Sequence, residues 1–183
     1  MLRNTNTAYG TITKLLHWLM FLMFVGMVVV GYIMTDRPLT PEKLNLYSWH
    51  KSFGMTLLVL AVVRLVWRWG SPVPALPEGM PKYQRFAAHA SHYVLYFLMF
   101  LMPLSGWLMS SAANVHVVVF KVLSLPNLIA PDKGLRHLFE EIHETGVTAL
   151  EVMVGLHATA ALVHHYFYKD NVLVRMLPFR KEK

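Results

Sequence analysis

Cysteine is absent from this 183-residue sequence, and charged residues are scarce. Without cysteine the chain has no disulfides, no iron–sulfur clusters and no covalent haem attachment through a C-x-x-C-H motif. Charged residues make up 15% of the chain, whereas a typical soluble domain contains roughly 25%. Internal repeats and low-complexity tracts are also missing. What remains is a 55% hydrophobic chain with ten histidines, so a bound metal must use His, Met or carboxylate ligands.

The apolar residues fall into four long blocks, each of which reaches the length of about 20 residues that a membrane span requires. The blocks cover about 12–34, 46–69, 86–110 and 142–168. No small-residue cleavage site follows the first block, so we interpret it as a retained span and not as a signal peptide. The sequence therefore predicts an all-α integral membrane four-helix bundle, with residues 1–183 forming one domain.

The positive charges predict the orientation of these spans. Lys and Arg divide 11 to 6 in favour of the side that holds both termini, and most acidic residues belong to the other side. Because cytoplasmic loops carry the excess of Lys and Arg, both termini are expected in the cytoplasm. The net charge of +7 is thus explained by topology, and a nucleic-acid partner is not expected.

Four histidines have the spacing of two axial ligand pairs. His143 and His157 are 14 residues apart on the fourth helix, so they share one face and differ in depth by about 21 Å. His50 opens the second helix opposite His143, and His17 begins the first helix opposite His157. Two imidazole pairs at two depths are what two bis-histidine haems in a helical bundle require.

Other residues fit the same arrangement but have simpler explanations. Gly31 is expected to face inward at the level of the outer haem, and Gly54 follows His50 on the same face. Both glycines would let a flat macrocycle approach the backbone, or they are close-packing sites between helices. Arg64, 14 residues after His50, would pair with a haem propionate or a quinone, or extend to the interface as a topology signal.

Further histidines lie near the proposed inner site. His89 and His92 share a face at the start of the third helix and are rivals of His17 as inner ligand. Otherwise they are interfacial residues or line a pocket near the inner haem. His164 lies on the face of His157, about 10 Å closer to the cytoplasm. That position suits the lining of a quinone pocket.

Several segments resemble the bacterial cytochrome b561 family, and the resemblance covers nearly the whole chain. They are Leu16-His17-Trp18, residues 49–54 (WHKSFG), Ile142-His143-Glu144, residues 155–166 (GLHATAALVHHY) and residues 169–177. Membership would imply four spans in the bacterial inner membrane and two haem b groups. The iron ligands would be His17, His50, His143 and His157, and ubiquinone would bind at His164.

The resemblance also implies a function. Some members of the family look like superoxide:quinone oxidoreductases, so this chain is expected to pass electrons from a periplasmic-side donor, superoxide among the candidates, to membrane ubiquinone. One alternative is the cytochrome b subunit of a larger dehydrogenase or hydrogenase-type complex, with a protein as electron donor. Another is a haem-free transporter or channel in which the histidines are structural. Membrane lipid is a partner in every case.

Overall fold

The fold is built from four long helices. The structure is a computed structural model and describes residues 1–77 and 79–178. The long helices are α1 (Thr11–Asp36), α2 (Pro41–Trp69), α3 (Lys82–Ala112) and α4 (Lys133–Val163). A two-stranded hairpin, β1 (Val118–Val119) with β2 (Leu123–Ser124), lies between α3 and α4. A π-helical turn (His164–Tyr168) extends α4, and a short helix α5 (Val172–Met176) follows.

The prediction of four membrane-spanning helices is confirmed, since all four are long and apolar enough to cross a bilayer. All four helices begin before the predicted spans, most clearly α4, which starts at Lys133 and not near residue 142. The Asp132 side chain accepts a hydrogen bond from the Leu135 amide at 2.8 Å. This N-cap satisfies a free amide of the first turn and starts the helix before its apolar part.

Successive helices pack side by side and alternate in direction, with α2 between α1 and α3, and α3 against α4. One core cluster joins α1 to α2 through Met20, Leu57 and Ala61. A second joins α3 to α4 through Leu98, Met102 and Leu150. Many large apolar side chains point outward and are exposed, which is expected where lipid and not water surrounds the bundle.

The two ends of the bundle are closed by different segments. We call the end that holds the start of α1 and the end of α4 the N-terminal end, and the opposite one the far end. At the far end the α3–α4 connector folds back onto α2, where the Phe120 amide donates to Ser52 Oγ at 2.9 Å. Val117 of this connector is 2% exposed, so the connector is a packed part of the fold.

At the N-terminal end the first ten residues pack against the α2–α3 connector. Asn4 Nδ2 donates to the Pro72 carbonyl at 3.0 Å. Asn4 Oδ1 accepts from the Gly10 amide at 2.8 Å and from Thr13 Oγ1 at 2.7 Å. A Cβ on Gly10 would lie 2.4 Å from the Arg3 carbonyl carbon, so only glycine allows this arm to turn so tightly into α1.

Candidate functional site

Two of the predicted site histidines meet near the far end of the bundle. His50 of α2 and His143 of α4 place their ring centroids 6.3 Å apart, with ring planes at 71°. Both side chains are partly buried. His50 Nδ1 is buried and has no hydrogen-bond partner among the residues that the structure describes, and a buried polar atom normally has one.

His143 is held by a pair of neighbouring residues on α3. Ser105 Oγ lies 3.0 Å from His143 Nδ1 and 3.0 Å from the Met102 carbonyl. The next residue, Gly106, approaches so closely that a Cβ there would lie 3.3 Å from His143 Cε1. The hydroxyl fixes one ring nitrogen of His143, which leaves Nε2 as its free ligand atom.

The two glycines predicted near the outer haem have different surroundings. A Cβ on Gly31 would lie 3.7 Å from His50 Cε1, so Gly31 faces the far-end histidine pair. A Cβ on Gly54 would lie 3.6 Å from Met27 Cε on α1. The structure therefore brings Gly31 to the pair and Gly54 to the α1–α2 contact.

The second predicted pair meets near the N-terminal end. His17 of α1 and His157 of α4 have ring centroids 6.2 Å apart and planes at 58°. His92 of α3 also contacts His157, with centroids 5.4 Å apart. His17 and His92, the two rivals named from the sequence, thus both reach the same α4 histidine. His89, exposed on α3, is not among these contacts.

Arg64 of α2 joins this second group. Its Nη2 lies 3.2 Å from His17 Nδ1, and its Nε is buried without a hydrogen-bond partner. The guanidinium lies 5.9 Å from the centre of the Tyr96 ring, which Arg68 also contacts at 5.5 Å. A buried guanidinium nitrogen without an acceptor favours an anionic partner such as a carboxylate.

His164 lies apart from both pairs, in the π-helical turn that ends α4. Its Nδ1 is 2.5 Å from Asp170 Oδ2, and both side chains are mostly buried. Asp170 Oδ1 accepts from the Val172 amide at 3.0 Å, and Lys169 adopts a left-handed conformation with φ of 55°. Single π-helical turns occur frequently at functional sites, and here the turn brings a histidine and an aspartate together.

A family model described as prokaryotic cytochrome b561 matches residues 8–179. This chain belongs to the prokaryotic cytochrome b561 family. Members of this family are membrane cytochromes that bind haem b and take part in electron transport. Four helices of spanning length agree with a bacterial membrane protein of this kind.

Curated cytochrome b561 relatives match the chain over nearly their whole length. Cytochrome b561 homolog 2 of Escherichia coli K12 is 33% identical over 183 residues, covering 95% of this chain and 93% of the relative. Cytochrome b561 homolog 1 of the same organism is 31% identical over 91% of this chain and 94% of the relative. A protein named probable superoxide oxidase CybB, from Yersinia pestis, is 28% identical over 91% of this chain and 93% of that protein.

The histidine pairs of this cytochrome b561 fit haem. An imidazole–metal bond is about 2 Å long and the ring centroid lies roughly 1 Å beyond the nitrogen, so two opposing axial imidazoles have centroids about 6 Å apart. The pairs show 6.2 and 6.3 Å. Among the described residues no group of three or more His, Asp or Glu side chains could hold a bare metal ion. The structure therefore offers two imidazole pairs, with His92 as a third ring beside the second pair.

Three residues that contact the predicted site histidines were not predicted from the sequence, namely Ser105 and Gly106 beside His143 and Asp170 beside His164. Ser105 and Gly106 lie on α3, which carries neither member of the far-end pair, so spacing from a histidine could not identify them. The sequence did contain a feature that points to Asp170, because this acidic residue follows His164 by six positions at the end of an apolar span. Its contact depends on the π-helical turn, which the sequence did not predict.

Proposed function

We propose that this cytochrome b561 is a di-haem electron carrier, with one haem b on His50 and His143 and the other on His17 and His157. The observation that carries the proposal is the equal spacing of the two imidazole pairs, 6.3 and 6.2 Å between centroids. The α4 members of the pairs are separated by about 21 Å along the helix axis. Two sites at two depths suit electron transfer across the bilayer.

The positive charges support an orientation with both termini in the cytoplasm and the far end at the periplasm of a bacterial inner membrane. Residues 1–183 would act as one domain. Two bound haems would supply one-electron transfer from a donor at the periplasmic side to ubiquinone in the membrane. The protein holds and orients these groups through side chains from all four helices.

The residues around the two pairs have separate roles in this proposal. Gly31 and Gly106 keep side-chain bulk away from the far-end imidazoles, and Gly54 allows α1 to pack closely against α2. His17 would hold the inner haem, and its Nδ1 would then carry the ring proton, so it could not accept a hydrogen bond from Arg64. The Arg64 guanidinium, 3.2 Å from His17 Nδ1, would be available to bind a propionate or the quinone.

We place ubiquinone beside His164. The Asp170 carboxylate, 2.5 Å from His164 Nδ1, orients the imidazole so that its second ring nitrogen can form a hydrogen bond with a quinone oxygen. Reduction of quinone to quinol consumes two electrons and two protons. The electrons would come one at a time from the donor through the haems, and His164 would relay both protons in turn from water at the N-terminal end.

Superoxide is the electron donor that we consider first, because a relative of similar length is named a probable superoxide oxidase.

A protein donor is the second candidate, and a feature of the far end favours it. Trp49, Phe53 and Phe120 form an aromatic cluster, with centroid distances of 5.5 to 6.0 Å. Each is more than 40% exposed, so the cluster could dock a dehydrogenase-type subunit close to His50.

The test is a haem count with a reduced absorption spectrum on the purified protein, followed by addition of superoxide in the presence of ubiquinone. Two haem b per chain are expected. His50→Ala and His143→Ala should each remove the same haem, while His17→Ala and His157→Ala remove the other.

His116→Ala, at an exposed connector residue, is the control. One haem, or none, would refute the proposal, and a haem that His92→Ala but not His17→Ala removes would reassign the inner ligand.

A further inference from the structure

A cavity of about 410 Å³ opens at the N-terminal end, between the first ten residues, the α2–α3 connector and the start of α3. It lies where α2 ends and α3 begins, which is the level of the lipid headgroups if these helices span the membrane. Neither histidine pair lines it. Its polar lining consists of Tyr9, Arg68, Arg85, His89 and His92.

The described lining of this cavity carries positive charge. Arg68 and Arg85 both line it, and among residues 1–77 and 79–178 no Asp or Glu does. In the described part of the chain neither arginine side chain forms a salt bridge with a carboxylate. Two guanidinium groups that share a partly enclosed space repel each other, so an anion between them would be stabilised by both.

The remaining polar groups are suitable donors for such an anion. Burial raises the pKa of Tyr9, while the nearby Arg68, Arg175 and Arg64 oppose that rise. Tyr9 therefore keeps its proton at neutral pH and can donate a hydrogen bond. A neutral quinone needs one or two donors, whereas paired guanidiniums are the preferred partners of phosphate.

The adjoining surface of α3 suits an acyl chain. The cavity-lining residues Arg85, His89 and His92 share one face of the helix. Beside that face runs a stripe of aromatic side chains that are each more than 60% exposed. The stripe consists of Tyr83, Phe86, Tyr93 and Phe97. A lipid whose headgroup entered the cavity could lay its chains along this stripe.

We propose that this cavity is a binding site for the phosphate group of an anionic membrane lipid. Arg68 and Arg85 bind the phosphate oxygens, Tyr9 and His89 donate further hydrogen bonds, and the aromatic stripe contacts the acyl chains. A free phosphate ion shares the headgroup chemistry but not the contact with the stripe. His92 of this cavity also contacts His157, so the test uses Arg68 and Arg85, which the proposed haem sites do not include.

Binding can be measured on the purified full-length protein in detergent by native mass spectrometry, with short-chain phosphatidylglycerol, phosphatidylcholine and inorganic phosphate as probes. Phosphatidylglycerol should bind at least tenfold more tightly than phosphatidylcholine, whose choline offsets the phosphate charge. Arg85→Gln and Arg68→Gln should each weaken phosphatidylglycerol binding about tenfold, the loss expected for one charge-assisted hydrogen bond. Arg136→Gln, at an exposed far-end arginine, is the matched control and should change nothing.

Three results would overturn the proposal. Equal binding of the two lipids would show that charge does not select the ligand. Inorganic phosphate that binds as tightly as phosphatidylglycerol would identify a soluble anion as the occupant. A short-chain ubiquinone that displaces phosphatidylglycerol, with its own affinity unaffected by Arg85→Gln, would assign the cavity to quinone. None of these readouts uses haem, so failure here is distinct from failure of the di-haem proposal.

Discussion

Ser105 and Gly106 show how two neighbouring residues of one helix can set the position of a histidine on another. Ser105 Oγ lies 3.0 Å from His143 Nδ1, while Gly106 allows the ring to lie against the α3 backbone. Ser105 contributes a polar contact, and Gly106 has no side chain that would displace the ring. Their combined effect is to present His143 toward His50 in a single orientation.

Gly106→Ala should disturb the far-end site. Its Cβ would lie 3.3 Å from His143 Cε1, so the imidazole must move, at a cost of about 1–3 kcal/mol. We expect weaker haem binding at that site. The midpoint potential and the occupancy of one haem should change, while those of the other haem stay the same. Gly155→Ala, where a Cβ meets nothing within 4 Å, is the control and should preserve both haems. Equal effects of the two variants would contradict the structural role of Gly106.

Asp170→Asn should impair quinone reduction and spare the haems. An amide weakens the contact that orients the imidazole, so we expect the rate of quinone reduction to fall about tenfold or more. Asp170→Glu should recover part of the rate because it restores the carboxylate. The rate of quinone reduction per haem is the measurement, and haem spectra monitor folding. An unchanged rate in Asp170→Asn would remove His164 from the proton path.

At the scale of elements, the N-terminal arm (residues 1–10) links α1 to the α2–α3 connector. Asn4 is its centre and is 9% exposed. Thr13 donates to Asn4 Oδ1 and in turn accepts a hydrogen bond from Trp67 Nε1 at 3.0 Å. Buried polar groups without hydrogen bonds are costly in an apolar environment. This network gives hydrogen-bond partners to the buried polar groups of Asn4, Thr13 and Trp67 at this end of the bundle.

Asn4→Ala should destabilise that end of the bundle. The variant removes three hydrogen bonds and leaves buried partners unsatisfied, so a loss of about 2 kcal/mol is expected. Thermal unfolding in detergent measures it. Asn127→Ala is the control, because the Asn127 side chain is engaged only in an exposed 3.4 Å contact with Asn114, and it should change stability by less than about 0.5 kcal/mol. A similar loss in both variants would argue against the arm as a stabilising element.

At the scale of the whole molecule, the alternation of four helices places the N-terminal arm, the α2–α3 connector and α5 at one end of the bundle. The α3–α4 connector then lies at the other end. The excess of Lys and Arg at the N-terminal end predicts that this end faces the cytoplasm. The far-end histidine pair would consequently be the one near a periplasmic donor.

The absence of cysteine makes this orientation directly testable. A cysteine introduced at Ser124, exposed in the α3–α4 connector, should react in intact cells with a thiol reagent that cannot cross membranes. A cysteine introduced at Thr7, exposed in the N-terminal arm, should react only after the cells are opened. The reverse labelling pattern would place the termini in the periplasm and exchange the roles of the two histidine pairs.

The amino-acid sequence by itself determined the four helices and predicted which histidines lie at the same depth. Span length, the charge-poor blocks and the spacing of His143 and His157 on one helix are local properties, because helix geometry fixes which residues share a face. Helix geometry also predicted that His17 lies at the depth of His157 and His50 at the depth of His143. The start of α4 at Lys133 was missed because a cap extends the helix beyond its apolar part.

Only the tertiary structure decided which residues surround the pairs. Ser105 and Gly106 reach His143 from another helix, His92 reaches His157 beside His17, and Gly54 faces Met27 and not a histidine. These contacts depend on the rotation and separation of helices, which no spacing along one chain segment specifies. The His164–Asp170 contact and the basic cavity likewise required the π-helical turn and the folded N-terminal arm, whose positions are set by long-range hydrogen bonds.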